Sequence, residues 1–402
     1  MEKKGTAQKR TKEELPLFSV IILTYYQQHL IFECLDTILE QDYPNIEIVI
    51  CDDHSADFDG DEIRTYIENN KEENIKSVVI FQQNENVGTT ANAAKGVELS
   101  GGVYFKLHAG DDMLYAKTSL RTMEKHLRRP DVNLVAARSI ACLKDGTMTE
   151  TAYPAYGDTL AMMNAKTAQQ QFDLIASESW GKYVNAPAVF WKRSFYDKMD
   201  GFDLSYKYTE DWPMWLKITK AGYRMETVNE LTTVYRYGGI SNDQSDLNKV
   251  LGRLHYLECI RMMQEYVLPE YLAQNNRKKI IRCKHCIRCI EARICSEGQW
   301  FNMGWGEKIS WRIRHINYLL VAWLYRNRIH GAMPLSHYRG LFKWIGIFFV
   351  MYVLRVEPIP GKSFNYIWSV LFCIYTTWLS INLVGNLAIR MFKIVMDRKG
   401  RK

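Results

Sequence analysis

Apolar positions in the first quarter of the chain form short unbroken runs separated by stretches of helical repeat. Phe18–Thr24 (FSVIILT) is a continuous, largely β-branched run of the kind buried on both faces of a parallel sheet. Apolar residues then recur at helical spacing from Leu30 to Leu39, and Ile46–Cys51 (IEIVIC) is a second buried run, stopped by Asp52, Asp53 and His54. Ile63–Ile67 falls in a crossover helix, and Ser77–Phe81 (SVVIF) makes a third strand. Val87–Leu99 reads as a helix and Val103–Leu107 as a fourth strand. This β-α-β-α order predicts an α/β fold with a doubly wound, mostly parallel sheet. In such sheets ligands bind outside the carboxyl ends of the strands, so the residues just after each strand are the first candidates for chemistry.

From about Ser245 the pattern changes to helices rich in Leu, Met, Arg and aromatic residues. Ser363–Ile389 holds 27 consecutive uncharged residues, with Arg390, Lys393, Arg398, Lys399, Arg401 and Lys402 following. That length suffices for a helix to cross a bilayer, which takes roughly 20 residues. Trp344–Leu354 is an 11-residue apolar run, short for a span and suited to an interfacial helix or half of a hairpin. The organisation expected is a polar extension over 1–16, an α/β domain over 17–244, and a helical, basic, membrane-associated region over 245–402.

Charge sharpens this division. The net charge of +7 is the sum of two unlike parts: 22 Lys and Arg against 5 acidic residues from Arg277 onward, and an excess of acidic residues before it. An acidic front half argues against nucleic acid as a partner, and a basic, aromatic-rich back half suits an anionic lipid surface. The first fifteen residues are polar and lack the apolar stretch of a secretory signal. The expected place of work is therefore the cytoplasmic face of the cell membrane, where the nine cysteines stay reduced.

Acidic residues cluster at three loop positions. Asp52 and Asp53 follow the second strand, Asp111 and Asp112 lie in HAGDDM after the fourth, and Glu210 and Asp211 precede a helix in TEDWPMWLKI. Adjacent carboxylates on a loop suit a hard cation bridging a diphosphate, and a carboxylate facing such a site can act as general base. Each pair is equally what a helix N-cap requires. Their joint place at the ligand edge of the sheet is the stronger signal. His108, beside the second pair, is as readily structural as donor-binding.

In order, the segments SVIILTYYQ, IEIVICDDHSAD, NENVGTTANAAKGVELSGGVYFKLHAGDDM, APAVFWKRSFYDKMDGFD and TEDWPMWLKITKAGY resemble the inverting glycosyltransferases of family 2. These have the A-type nucleotide-diphospho-sugar transferase fold. The resemblance covers roughly Leu17 to Ser241. It implies that Thr24 and Tyr26 line a nucleotide pocket, that Asp53 accepts from the base, and that Asn86 and Gly88 form a turn approached by the nucleotide. It implies Asp111 and Asp112 as ligands of Mn2+ or Mg2+, Asp112 the more direct, and Asp211 as catalytic base, with Glu210 and Trp212 shaping the acceptor pocket. The reaction implied is one displacement, inverting the anomeric centre, from a nucleotide-sugar donor (a UDP-sugar) to a glycan or lipid-linked glycan acceptor. Membrane lipid is a further expected partner, and a homodimer is left open. Surface polysaccharides such as capsule or O-antigen would be the products.

Two positions depart from the family's pattern. Gly110 stands where an acidic residue is common, and the segment after the base reads YRYGGIS rather than ending in a His, which leaves a third metal ligand without a candidate. The Gln-x-x-Arg-Trp motif of processive synthases is absent, which favours addition of a single sugar. The alternative is a non-catalytic nucleotide- or sugar-binding protein that kept the fold. A nicotinamide-dependent dehydrogenase is disfavoured, because TYYQQH after the first strand has no glycine-rich turn. Cys283, Cys286 and Cys289, with His285 and Cys295 nearby, have metal-like spacing. They sit in an unbroken basic helix pattern, KKIIRCKHCIRCIEARIC, where packing is the expected role.

Overall fold

The computed structural model describes residues 15–143, 145–177, 183–237, 246–284, 286, 287 and 290. The four anticipated strands are β1 (Phe18–Thr24), β2 (Ile46–Asp52), β3 (Ile75–Gln82) and β4 (Tyr104–Ala109), with α1 (Gln28–Leu39), α2 (Gly60–Asn70) and α3 (Thr89–Leu99) as crossovers. These strands pair in parallel in the order β3-β2-β1-β4. The chain continues through β5 (Met113–Leu114), α4 (Ser119–Leu127), β6 (Leu134–Cys142), α5 (Tyr156–Asn164) and α6 (Ala168–Ser177). Beyond these come β7 (Val189–Lys192), α7 (Arg193–Lys198), α8 (Asp211–Lys220), β8 (Glu226–Arg236), α9 (Asp246–Met262) and α10 (Leu268–Ala273). The sheet has eight strands ordered β3-β2-β1-β4-β7-β6-β8-β5. It is parallel in its first half and mixed in its second: β7 runs antiparallel to β4 and β6, and β5 antiparallel to β8.

The unbroken apolar runs have a direct physical cause, because both faces of the sheet are covered. Phe18, Val20, Ile22, Ile46, Ile48 and Ile50 face one core, into which α1, α2 and α4 send Leu35, Ile38, Ile63, Ile67, Leu120 and Met123. Ile21, Val49, Cys51 and Phe105 face the other, packed by residues of α3, α6, α7, α8 and α9, among them Val97, Phe172, Phe195, Trp215 and Tyr256. Period-two alternation therefore survives as a choice between two apolar faces rather than between core and water. Gly96 lets α3 lie against β1, since a Cβ there would stand 2.4 Å from Ile21 Cγ2.

The helices after residue 245 share this second core as far as Ile290, through Cys259, Met263, Val267, Tyr271, Cys283 and Ile287. Cys283 and Cys286 are buried there, and Cys283 Sγ lies 3.8 Å from the Met263 carbonyl. Among the described residues no group of three His, Cys, Asp or Glu side chains converges as a metal site. His285, Cys289 and Cys295 lie outside the described residues. Among the described residues no helix is long and apolar enough to cross a membrane. The apolar runs Trp344–Leu354 and Ser363–Ile389 also fall outside them.

Candidate active site

The carboxyl ends of β1 and β2 end side by side, and two adjacent aspartates there do different work. Asp52 is wholly buried and structural: it accepts from the Ser55 amide at 2.7 Å, the Ser55 hydroxyl at 2.6 Å and the Gln82 amide group at 3.0 Å. Ser55 Oγ in turn accepts from the backbone of Tyr26 at 2.7 Å. Tyr26 is half exposed with φ of 53°, a left-handed conformation that costs a non-glycine residue energy and turns its ring outward. Asp53 is tied to β1 through its amide, which donates to the Thr24 carbonyl at 2.9 Å. Its two carboxylate oxygens accept from the amides of Val87 at 2.8 Å and Gly88 at 2.9 Å. Burial raises the Asp53 pKa, and those two amides and the Lys207 charge oppose the shift. Thr24, Tyr26, Asp53, Asn86 and Gly88 are thus brought to one edge of the sheet.

Gly88 has a reason within the protein itself to be glycine. Its φ is +90°, and a Cβ would stand 2.7 Å from the carbonyl oxygen of Lys207 and 2.4 Å from the Lys207 side chain. The backbone that comes close is this protein's own.

Asp111 and Asp112 follow β4 in a turn fastened by the Gly110 amide to the Leu23 carbonyl at 2.8 Å. Arg236, the last residue of β8, closes the turn from the other side. Its amide donates to Asp112 Oδ1 at 3.0 Å, its Nε to the Asp111 carbonyl at 3.0 Å, and its guanidinium pairs with Glu33. Asp112 is fully buried, and among the described residues its Oδ2 has no hydrogen-bond partner. Burial first, then the negative charge of Asp111, pushes its pKa up to about 8. An unsatisfied buried carboxylate oxygen is costly unless something pairs with it. Two hard oxygen donors side by side, one of them orphaned, fit Mg2+ or Mn2+ better than a soft metal. Beneath them Lys106 is wholly buried, its amine donating to the Leu107 and Pro187 carbonyls. Burial pulls its pKa down to about 8, against the opposing pull of Asp112. Burial also drives the His108 pKa well below its ordinary value, so that imidazole is neutral.

Glu210 and Asp211 open α8 and are both partly accessible. Asp211 accepts from the amide of Trp212 at 2.6 Å. Burial, then the Asp211 charge, pushes Glu210 up to about 8, whereas the burial that raises Asp211 is offset by the Trp212 amide and His255. Like charge beside it thus adds to the rise of Glu210, while Asp211 has an amide and an imidazole beside it that favour its charged form. Trp212, expected to shape the acceptor pocket, lies mostly within the core. It is 5% exposed, and its indole donates to the Ile175 carbonyl at 3.3 Å. The apolar side of α8 needs an anchor in the core, and Trp212 is part of it.

Several residues of the site were not singled out from the sequence. Arg236 lay in the segment noted only for lacking a His. Lys106 was visible as a charge inside an otherwise buried central strand, a signal that should prompt a search for partners. His255 and Glu258 carry no local signal, because they approach Asp211 across the fold from α9.

Residues 19–184 match the family model described as Glycosyl transferase family 2. Over 111 residues the chain is 25% identical to the GalNAc(5)-diNAcBac-PP-undecaprenol beta-1,3-glucosyltransferase of Campylobacter jejuni, covering 28% of this chain and 35% of that protein. It is 22% identical to the chondroitin synthase of Escherichia coli, over 55% of this chain and 29% of that one. The chain thus spans about a third of the length of these relatives. The mannosyltransferase PcManGT from Pyrobaculum calidifontis, solved in complex with GDP-Man and Mn2+, aligns with a TM-score of 0.45 and 17% identity, covering 77% of this chain and 86% of that one. By that match residues 19–184 form a family 2 glycosyltransferase segment, set in a mostly parallel sheet with helices on both faces.

Proposed function

We propose that the protein transfers a single sugar, with inversion and with a divalent cation, from a nucleotide-sugar to a hydroxyl of a glycan acceptor. The observation that carries this reading is the buried pair Asp111–Asp112 at the carboxyl end of β4, with one Asp112 oxygen unpartnered among the described residues. Asp112 and Asp111 would hold the cation, which when bound neutralises charge developing on the leaving diphosphate. Asp53 and the turn it holds orient the base, and Tyr26 offers an exposed ring beside it. An Asp211 carboxylate oxygen takes the acceptor hydroxyl proton while the hydroxyl oxygen bonds to the anomeric carbon. The bond to the diphosphate breaks on the opposite face, so one displacement inverts the centre. UDP is the nucleotide we assign.

The acceptor we assign is a lipid-linked glycan met at the cytoplasmic face of the membrane, in the building of a surface polysaccharide. The basic, apolar-rich segment over 291–402 supports membrane attachment, and a relative named for an undecaprenol-linked substrate supports the acceptor class. The test is calorimetry of UDP with the full-length protein in detergent, with and without Mn2+, beside Asp112→Ala. Mn2+-dependent binding lost in the variant supports the reading. Well-folded protein that binds neither UDP nor GDP would overturn the donor assignment and leave a fold without this activity.

A further inference from the structure

The segment from Lys207 to Asp211 connects two parts of the site that the sequence separates by more than a hundred residues. At its start the Lys207 carbonyl accepts from the Thr90 amide at 3.2 Å, and the Lys207 amine donates to the Asn86 carbonyl at 3.3 Å. Lys207 thus rests directly on the turn whose next amides, Val87 and Gly88, are held by Asp53. At its end stands Asp211. Between these ends one side chain holds the backbone. Glu258 of α9 accepts from the amides of Lys207 and Tyr208, the latter at 3.2 Å to one oxygen and 3.1 Å to the other, and from the Thr209 hydroxyl at 2.9 Å. The Thr209 hydroxyl also lies 3.0 Å from His255 Nδ1. Since that hydroxyl spends its proton on Glu258, His255 must carry its own proton on Nδ1 and donate it.

Resting on the function proposed above, we infer that Glu258 is a positioning residue that makes the nucleotide turn and the catalytic base one mechanical unit. A carboxylate that only fastened a helix to a loop could do so anywhere along α9. Here its side-chain bonds to the described residues all fall within the three residues joining the Asp53 turn to Asp211. Hydrogen bonds joined through the backbone of residues 86–90 run from Asp53 to Val87 and Gly88, from Asn86 and Thr90 to Lys207, and from Lys207 on to Glu258. Occupation of Asp53 by a nucleotide base would be felt along this path at Asp211, so that the base is set in place as the donor arrives. Glu258 touches no reacting atom in this scheme.

The experiment has two readouts on the full-length protein. Amide exchange in the ligand-free protein should rise at Lys207 and Tyr208 in Glu258→Gln, because an amide group replaces one accepting oxygen. The same substitution should raise exchange at Val87 and Gly88, on the far side of Lys207. In turnover, Glu258→Gln should lower kcat by roughly ten- to a hundredfold, the scale of a small misplacement of a catalytic group, with acceptor KM unchanged. Thr209→Val should lower kcat in the same sense, and Thr209→Ser, which keeps the hydroxyl, should restore it. If Glu258→Gln lowers the melting temperature yet leaves kcat and the exchange of Val87 and Gly88 as in the parent, Glu258 is only a fastener and the inference fails. If the parent protein shows neither UDP binding nor sugar transfer, the proposed function fails by itself. Exchange at Val87 and Gly88 then still decides the coupling: a rise upholds it and no change refutes it.

Discussion

The two acidic residues opening α8 illustrate how neighbours of like charge take different roles. Both are raised by burial, but Asp211 keeps the Trp212 amide and His255 as compensation, while Glu210 also meets the charge of Asp211. Asp211→Asn should cost about two to four orders of magnitude in turnover, the usual worth of a general base, while UDP affinity measured by calorimetry stays within a factor of a few. In the parent, transfer should rise with pH through a pKa above the ordinary carboxylate value, since only the ionised base accepts the proton. A pH–rate profile showing no such limb would remove Asp211 from that role.

Glu210 and Asp112 also tie stability to pH, and the sign is opposite to that of a salt-bridged carboxylate. Each has a folded-state pKa raised, from 4.5 or 3.8 to about 8, so the folded protein retains a proton that the unfolded chain has lost. Stability from these groups is therefore full below the unfolded values and declines as pH rises toward 8. Thermal melts should fall across that window and flatten in Glu210→Gln. Mn2+ should raise the melting temperature more at pH 8 than at pH 5, because at the lower pH it must displace the proton on Asp112. Equal stabilisation at both values would argue that the cation binds elsewhere.

At the scale of elements, β1 to β4 and their crossovers were legible because each buried strand is a continuous β-branched run with a turn signal after it. The expected fourth strand, Val103–Leu107, is one residue early at its start and two short at its end, within the usual looseness of such boundaries. The second half of the sheet was not legible. β7 has four residues and β5 two, too short for periodicity to register, and their antiparallel setting depends on partners far away in the chain. Besides the pairing of β4 with β7, one side chain that ties that half to the first is Arg193, at the start of α7. Its guanidinium donates to the carbonyls of Val97 and Ser100 at 2.9 Å each and to that of Gly102 at 3.2 Å, and it lies over the Phe105 ring. It thereby satisfies carbonyls that the end of α3 leaves open. Arg193→Ala should cost about 2–3 kcal/mol in chemical denaturation, the range for losing charge-assisted hydrogen bonds. A loss under half of that would mean water replaces the side chain at this helix end.

At the scale of the whole molecule, charge and apolar content divide the chain more sharply than the described core does. The acidic front half houses the sheet, and the strongly basic residues beyond 277 include the long uncharged run followed at once by six cations. Packing does not stop where the composition changes, since α9, α10 and the residues to Ile290 share the core beneath Trp215. We expect the full-length protein to float with vesicles containing anionic lipid. If attachment is electrostatic it should be released by about 0.5 M salt, where screening falls to a few ångströms, and a spanning segment would resist it. Absence of flotation with any lipid would remove the membrane from the proposal.

The sequence by itself determined the fold class, the parallel half of the sheet and the places where Asp53, Asp111, Asp112 and Asp211 would be found. The first two rest on local facts, since short β-branched runs with turn signals after them suit strands buried on both faces, and chemistry in such sheets collects just past the strand ends. The place of Asp211, at the start of a helix, rests on the ordered motifs that resemble the family. Only the tertiary structure decided what those aspartates meet. Asp52 turned out to be structural and Asp53 to hold the turn. Gly88 makes room for Lys207, Trp212 sinks into the core, and Arg236, His255 and Glu258 arrive from β8 and α9. Contacts between residues a hundred positions apart leave no period or spacing in the chain, because they exist only once the sheet has brought its edges together.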